Sequence, residues 1–228
     1  MTNVNNPEQK AFSAPSSTIQ DYLVLIYVME RDHEPVVGMR LAELLGVTPP
    51  TVANTLKRMT RDGLITMNKE GTHLTENGWN ASRVVMRRHM LVEWMMHKTL
   101  PWSKLHDEAH HLEHAISSMT EPALLKQFEH PKTCPHGNPL PGCEEAVAHW
   151  VPLILTNTGE SVIIRRIHEL AEENPELLDF LEKKNILPGI RVTVTEILPF
   201  NQTITIDAEG LPVTLGSSIA RYIFVEQT

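Results

Sequence analysis

Cysteine is scarce in this chain. Only Cys134 and Cys143 occur among 228 residues, which excludes a disulfide-stapled scaffold, because such scaffolds use many cysteines in place of a large core. Both sit in one Pro/Gly-rich stretch, where two thiols could bind metal, and they read first as incidental residues. Long apolar runs are missing too: "WVPLILT" is the longest, far below the roughly 18 residues that suggest a membrane span. The opening "MTNVNNPEQKAFSAPSS" has neither the basic start nor the apolar stretch of a secretory signal. It reads as a disordered lead-in over residues 1–17, and a cytoplasmic protein with no membrane partner is expected. A positive balance is also lacking, since the net charge is −8, which taken alone argues against nucleic acid.

The distribution of charge reverses that argument. Between Thr48 and Arg88 stand seven basic residues (Lys57, Arg58, Arg61, Lys69, Arg83, Arg87, Arg88) and three acidic ones, a local +4 that leaves −12 elsewhere. The same region carries a recognisable order of elements. "TIQDYLVLIYVMERD" places Ile19, Leu23, Ile26 and Tyr27 at helical spacing behind Thr18 as N-cap. A short helix over Met39–Leu45, a turn at Gly46-Val47, a second helix from about Pro49 to Arg61 and a hairpin in "LITMNKEGTHLT" follow. Helix, helix, turn, helix, wing is the winged helix-turn-helix order. In the second helix of the motif Thr48 caps, Pro49 and Pro50 occupy the first turn, and Val52, Leu56 and Met59 make the buried stripe. Thr48, Pro50, Thr51, Asn54, Lys57 and Arg58 are left for double-stranded DNA, short side chains for base edges and long cations for phosphates.

From Trp79 to Phe128 the chain is helical with a heavily apolar side, suited to an internal core and to homodimerisation. "HPKTCPHGNPLPGCEE" reads as a linker by composition. Short β-branched runs then suggest a small SH3-like barrel with one helical insertion near Pro175 to Lys184. The fold class is therefore mainly α with a small β domain: a lead-in at 1–17, a winged helix-turn-helix at 18–77, a helical domain at 78–145, a linker at 146–160 and the SH3-like domain at 161–228.

"HDEAHHLEH", His106 to His114, is the densest chemistry in the sequence. At about 100° per residue His106, His110, Glu113 and His114 fall on one helix face beside a core stripe of Leu105, Ala109 and Leu112. His89 and Glu93, four apart on the preceding helix, share a face as well. Imidazole with carboxylate suits Mn²⁺, Fe²⁺, Co²⁺, Ni²⁺ and Zn²⁺ alike. A merely solvated polar face is the bland alternative. "HHLEH" also fits the H-x-x-E-H pattern of inverted zinc proteases, with Glu113 activating water.

With these parts in this order the sequence resembles the diphtheria toxin repressor family of metal-dependent transcriptional regulators over nearly all residues after 17. "TVANTLKRMTRDGLI", "RRHMLVE", "HDEAHHLEH" and "HGNPLPG" are its most specific parts. The resemblance implies a repressor of metal-homeostasis genes that is activated by Mn²⁺ or Fe²⁺, binds operator DNA as a homodimer and ends in an SH3-like (FeoA-like) domain. It also implies an ancillary site of His89, Glu93 and His106 and a primary site of Asp21, His110, Glu113 and His114. Asp21 replaces a methionine of the iron branch and His110 a cysteine. The manganese branch shares the aspartate but has glutamates at the positions of His110 and Val24, so this site is a hybrid. Some relatives add ligands from the third domain; Glu172, Glu173 and Glu176 do not align cleanly and are not counted. A constitutive DNA-binding protein with a structural zinc is the rival of a different class.

Overall fold

Helix α1 (Ser17–Arg31) is buried on nearly every side, with Ile19, Tyr22, Leu23, Leu25, Ile26, Tyr27, Val28 and Met29 all in the core. It lies at the centre of the molecule in the computed structural model, which describes residues 15–227; the expected lead-in falls outside the described residues up to residue 14. The N-cap is Ser16, not Thr18. The helix starts early because Ser16 O accepts from Gln20 N at 2.9 Å while the Gln20 amide donates to Pro15 O at 2.6 Å.

Helix α2 (Gly38–Leu44) and helix α3 (Pro49–Arg61) follow, with Gly46 at φ 62° supplying the left-handed turn that Cβ-bearing residues resist. Thr48 caps α3, accepting from Thr51 N at 3.4 Å, and Val52, Thr55, Leu56 and Met59 face inward. Strands β1 (Ile65–Asn68) and β2 (Gly71–Leu74) form the wing. Glu30 at the end of α1 holds the wing by its carboxylate, which meets His73 Nδ1 at 2.9 Å and accepts from Leu74 N at 3.0 Å.

Helix α4 (Glu76–Met96) packs along α1, where the buried Ser82 hydroxyl donates to Leu23 O at 3.1 Å. Helix α5 (Leu105–Leu112) is shorter than the sequence suggests: after Leu112 the chain tightens into a 3₁₀ turn over Glu113–Ala115. Single-helix arithmetic therefore fails at Glu113 and His114, because the turn resets the angle per residue. Helix α6 (Thr120–Gln127) ends the helical part.

The Pro/Gly-rich stretch is no surface linker. Cys134, His136, Asn138 and Leu140 are all buried, and Leu140 joins the helical core. Strand β3 (Val151–Pro152), within the span read as a linker, belongs to the C-terminal sheet. That sheet adds β4 (Ser161–Ile167), β5 (Arg191–Leu198), β6 (Thr203–Ala208), β7 (Leu211–Gly216) and β8 (Ile223–Gln227), antiparallel in the order β3-β8-β4-β5-β6-β7. Its alternating Val and Ile residues close over a second core. Helix α7 (Glu169–Glu172) sits at the seam between the cores, with Leu170 packed in the helical one and Ala171 in the sheet's; helix α8 (Pro175–Lys183), capped by Asn174, is the expected insertion.

Candidate metal centre and nucleic-acid interface

Metal-competent groups from four elements line one cavity of about 260 Å³ between α1, α4, α5 and α7. At its outer end α1 brings Asp21 to the turn after α5. The Asp21 carboxylate lies 3.8 Å from His110 Nε2, and His110 Nδ1 and His114 Nε2 stand 3.7 and 3.6 Å from Glu113 Oε1. Asp21, Glu113 and His114 each offer a ligand atom within 4.8 Å of the others. His114 Nδ1 is engaged by Gln20 Oε1 at 2.8 Å, so the ring donates there and keeps Nε2 free for a ligand role. Burial raises the pKa of Asp21, against the pull of His110.

At the inner end His89 Nε2 is 3.3 Å from Glu93 and 3.2 Å from His106 Nδ1. His106 Nδ1 also meets Glu172 Oε2 of α7 at 2.9 Å, and His106 Nε2 is 3.6 Å from Glu173. Glu172 thus completes a group of His89, Glu93, His106 and Glu172, while Glu176, on the exposed surface, takes no part. His89 links the two ends: its Nδ1 is 2.7 Å from Glu113 Oε2. Burial opposes its protonation, but Glu113 and Glu93 win and raise its pKa to about 9.

A third grouping was invisible in sequence. His136 Nδ1 lies 3.0 Å from Glu93 Oε1, and Glu93, Cys134 and His136 form a buried cluster that shares Glu93 with the previous one. Cys134, read from sequence as incidental, thus stands within reach of two possible metal ligands. Burial pushes its thiol pKa well up, with Glu93 adding to the effect.

These residues fit a divalent cation. Glu93 is 0% exposed and neither of its carboxylate oxygens has an aligned hydrogen bond; Asp21 Oδ1 and His136 Nδ1 are likewise buried without one. A buried carboxylate in that state is costly unless cationic charge compensates it. The imidazoles of His136 and His89 supply part of that, overcoming burial to hold Glu93 well below the usual carboxylate range. The protease-like reading fails on the same geometry: Glu113 is 3% exposed and tied to His89, and the helix breaks between His110 and His114.

In the N-terminal unit, Thr48, Pro50, Thr51, Asn54, Lys57 and Arg58 are all exposed along α3. Two of the basic residues counted in sequence are withdrawn from this surface, since Arg87 and Arg88 pair with Glu121 at 2.8 and 3.2 Å.

A winged-helix head fastened to a buried carboxylate–imidazole chamber defines the class of metal-responsive DNA-binding regulators. Comparison with known proteins gives the family. Residues 16–72 match the iron-dependent repressor N-terminal DNA-binding domain, 75–142 its metal binding and dimerisation domain, and 151–227 the FeoA domain. The iron-dependent repressor IdeR of Mycobacterium leprae is 33% identical, over 92% of this chain and 97% of the relative. The diphtheria toxin repressor of Corynebacterium diphtheriae is 31% identical over the same shares, 92% and 97%. A solved manganese-dependent transcriptional repressor in complex with manganese, 27% identical, superposes with a TM-score of 0.79 over 92% of this chain and all of its own. The chain belongs to the iron-dependent repressor family, which consists of DNA-binding regulators and not of enzymes.

Proposed function

We propose that this chain is a metal-activated repressor that binds operator DNA as a homodimer in the cytoplasm and controls metal-homeostasis genes, with Mn²⁺ or Fe²⁺ as activator and Zn²⁺, Co²⁺ or Ni²⁺ as substitutes. The observation that carries it is the placement of Asp21, on the helix beneath the reading motif, at 3.8 Å from His110 of the second domain. Asp21, His110, Glu113 and His114 would form one site, with Asp21, Glu113 and His114 grouped and His110 grouped with Glu113 and His89; His89, Glu93, His106 and Glu172 would form the other, with Cys134 and His136 as further ligands beside Glu93. No helix among the described residues is long and apolar enough to cross a membrane.

A bound divalent ion would add positive charge to the partial compensation that His89 and His136 give the clustered carboxylates. The protein's own residues do the rest. Without compensation, Asp21 and Glu113 repel across the joint between α1 and α5, and the DNA-binding head samples several positions. Held together, they fix α1 against α5, and the wing follows through Glu30. α3 is then presented at the spacing that two successive major grooves require, about 34 Å apart in a dimer. Thr48, Pro50, Thr51 and Asn54 would face base edges, and Lys57 and Arg58 phosphates. The ion shifts the population only as far as it favours this arrangement over the others.

Cys134 beside Glu93 and His136 favours a second reading, a structural zinc in a constitutive DNA-binding protein. Chelation followed by a melting scan and an operator titration separates the two. A sensor stays folded on chelation and recovers operator affinity when Mn²⁺ or Fe²⁺ is restored. Unfolding on chelation, or operator affinity indifferent to metal, contradicts the sensor.

A further inference from the structure

The "HGNPLPG" motif supplies more than His136. Asn138 is 0% exposed and makes three side-chain hydrogen bonds. Its amide nitrogen donates to Ile167 O at 2.7 Å and to Glu172 Oε1, and its oxygen accepts from Arg166 Nε at 2.5 Å. The same guanidinium reaches Asp32 Oδ2 at 2.8 Å and Glu169 Oε2 at 2.9 Å. Glu169 in turn takes two bonds from Arg31, at 2.7 and 2.9 Å, and His168 Nε2 meets Asp32 at 2.8 Å. His168 Nδ1 accepts from Leu170 N at 3.0 Å, so the ring donates its Nε2 proton to Asp32.

Arg31 and Asp32 terminate α1, whereas Arg166, His168 and Glu169 belong to the C-terminal domain. Although Asp32, His168 and Glu169 cluster like metal ligands, two guanidiniums already supply their cations. Burial alone would raise the pKa of Glu169, yet Arg31 and Arg166 hold it at about 2. Such a buried ionic set is weak evidence of net stability, although removing one partner from it is strongly destabilising. One end of this unbroken polar chain is Glu172, which faces the metal pocket, and the other is the DNA-binding domain.

We infer that Asn138 is a positioning residue that couples the Glu172 carboxylate to the Arg31–Asp32 latch, giving the inner metal pocket a second route to the DNA-binding domain through α7 and the far end of α1. The inference rests on the metal-responsive reading above. Two features of the fold support it. α7 carries both Glu172 and Glu169, so one four-residue helix presents a carboxylate to each end of the route. The loop is held against β4: Ile167 N donates to His136 O at 2.9 Å, the Asn138 amide donates to Ile167 O at 2.7 Å, and Gly137 packs so closely that a Cβ there would lie 1.9 Å from Arg165 O. Coupling of this kind is reciprocal: whatever the latch gains from an occupied pocket, the pocket gains from a closed latch.

Hydrogen exchange on the full chain, with and without Mn²⁺, tests this. In the wild type Mn²⁺ should slow exchange both at residues 18–24, beside Asp21, and at residues 29–34, beside the latch. In Asn138→Ala the slowing at 18–24 should persist while that at 29–34 falls by about fivefold, the lower end of ordinary coupling. Equal slowing at 29–34 in variant and wild type overturns the inference and leaves the sensor reading standing. No slowing anywhere in the wild type sinks the sensor and the relay together. Because Asn138→Ala strips partners from two buried charges and can unfold the chain, Asp32→Asn is read in parallel. Asp32 touches no proposed ligand, yet the variant should bind Mn²⁺ about fivefold more weakly; unchanged Mn²⁺ affinity overturns the relay independently.

Discussion

In the proposed donor set, Cys134 is the single residue that bears most on which ion the pocket prefers. Asp21 and the carboxylates of Glu93, Glu113 and Glu172 are hard donors that suit Mn²⁺ and Fe²⁺, and the imidazoles are borderline. Cys134 is the one thiol among the described groups that could hold a metal, beside the Glu93 carboxylate. A thiolate stabilises Zn²⁺ far more than Mn²⁺. Cys134→Ser should therefore weaken Zn²⁺ binding by about tenfold or more while Mn²⁺ affinity changes by less than about threefold, measured by competition titration against a chromogenic chelator. Equal losses for both ions remove Cys134 from the donor set. The hybrid pair of Asp21 and His110 acts in the opposite sense at the proposed outer site, where a carboxylate and an imidazole 3.8 Å apart suit Mn²⁺ or Fe²⁺.

The loop between α6 and β3 is the element on which the inner pocket turns. Gly137, at φ 90°, takes a backbone that side-chain-bearing residues rarely adopt and presses against Arg165 O. This brings His136 O to within 2.9 Å of Ile167 N and sets His136 beside Glu93 and Asn138 beside Glu172. Gly137→Ala should cost about 1–3 kcal/mol of folding stability and lower the affinity of the inner pocket along with it, read as a reduced Tm and a weaker Mn²⁺ titration. An unchanged Tm contradicts the close packing. This element also shows where sequence reading ends. α3 was legible because its cap, its proline-bearing first turn and the Val52–Leu56–Met59 stripe are all local, and local periodicity reports burial directly. The wing and the β-branched strands were legible for the same reason. Glu172, Cys134 and His136 were not, since they meet Glu93 only in the tertiary fold, and a Pro/Gly-rich composition ordinarily marks an exposed connection. The stretch is buried instead because its polar groups find partners at the end of β4. His114 was placed on a helix that in fact tightens before reaching it. The meeting of Asp21 with His110 had no periodic signature at all, and only the resemblance suggested it.

Seen as a whole, the molecule is organised around α1. Its N-terminal part carries Gln20 and Asp21 to the outer site, its last turn grips the wing through Glu30, and its C-terminal pair Arg31–Asp32 meets the C-terminal domain. Tyr27, midway, donates to Glu144 at 3.0 Å beyond the buried loop. A rigid strut with contacts to every domain can turn the loading of a small chamber into a change in the position of α3, provided the strut itself is what the ion fastens. Electrostatics support the division of labour. The reading surface keeps Lys57 and Arg58 exposed, while the carboxylates that give the chain its net −8 gather in part around the chamber.

The most direct measurement is operator affinity against Mn²⁺ concentration for the wild type, Asp21→Ala and His114→Ala, with dimerisation followed by sedimentation in the same buffers. The wild type should gain affinity with Mn²⁺, and both variants should lose that gain while remaining dimeric. Mn²⁺-stimulated binding of undiminished size in either variant would contradict the account, because α1 would then be free of the ion that is meant to hold it.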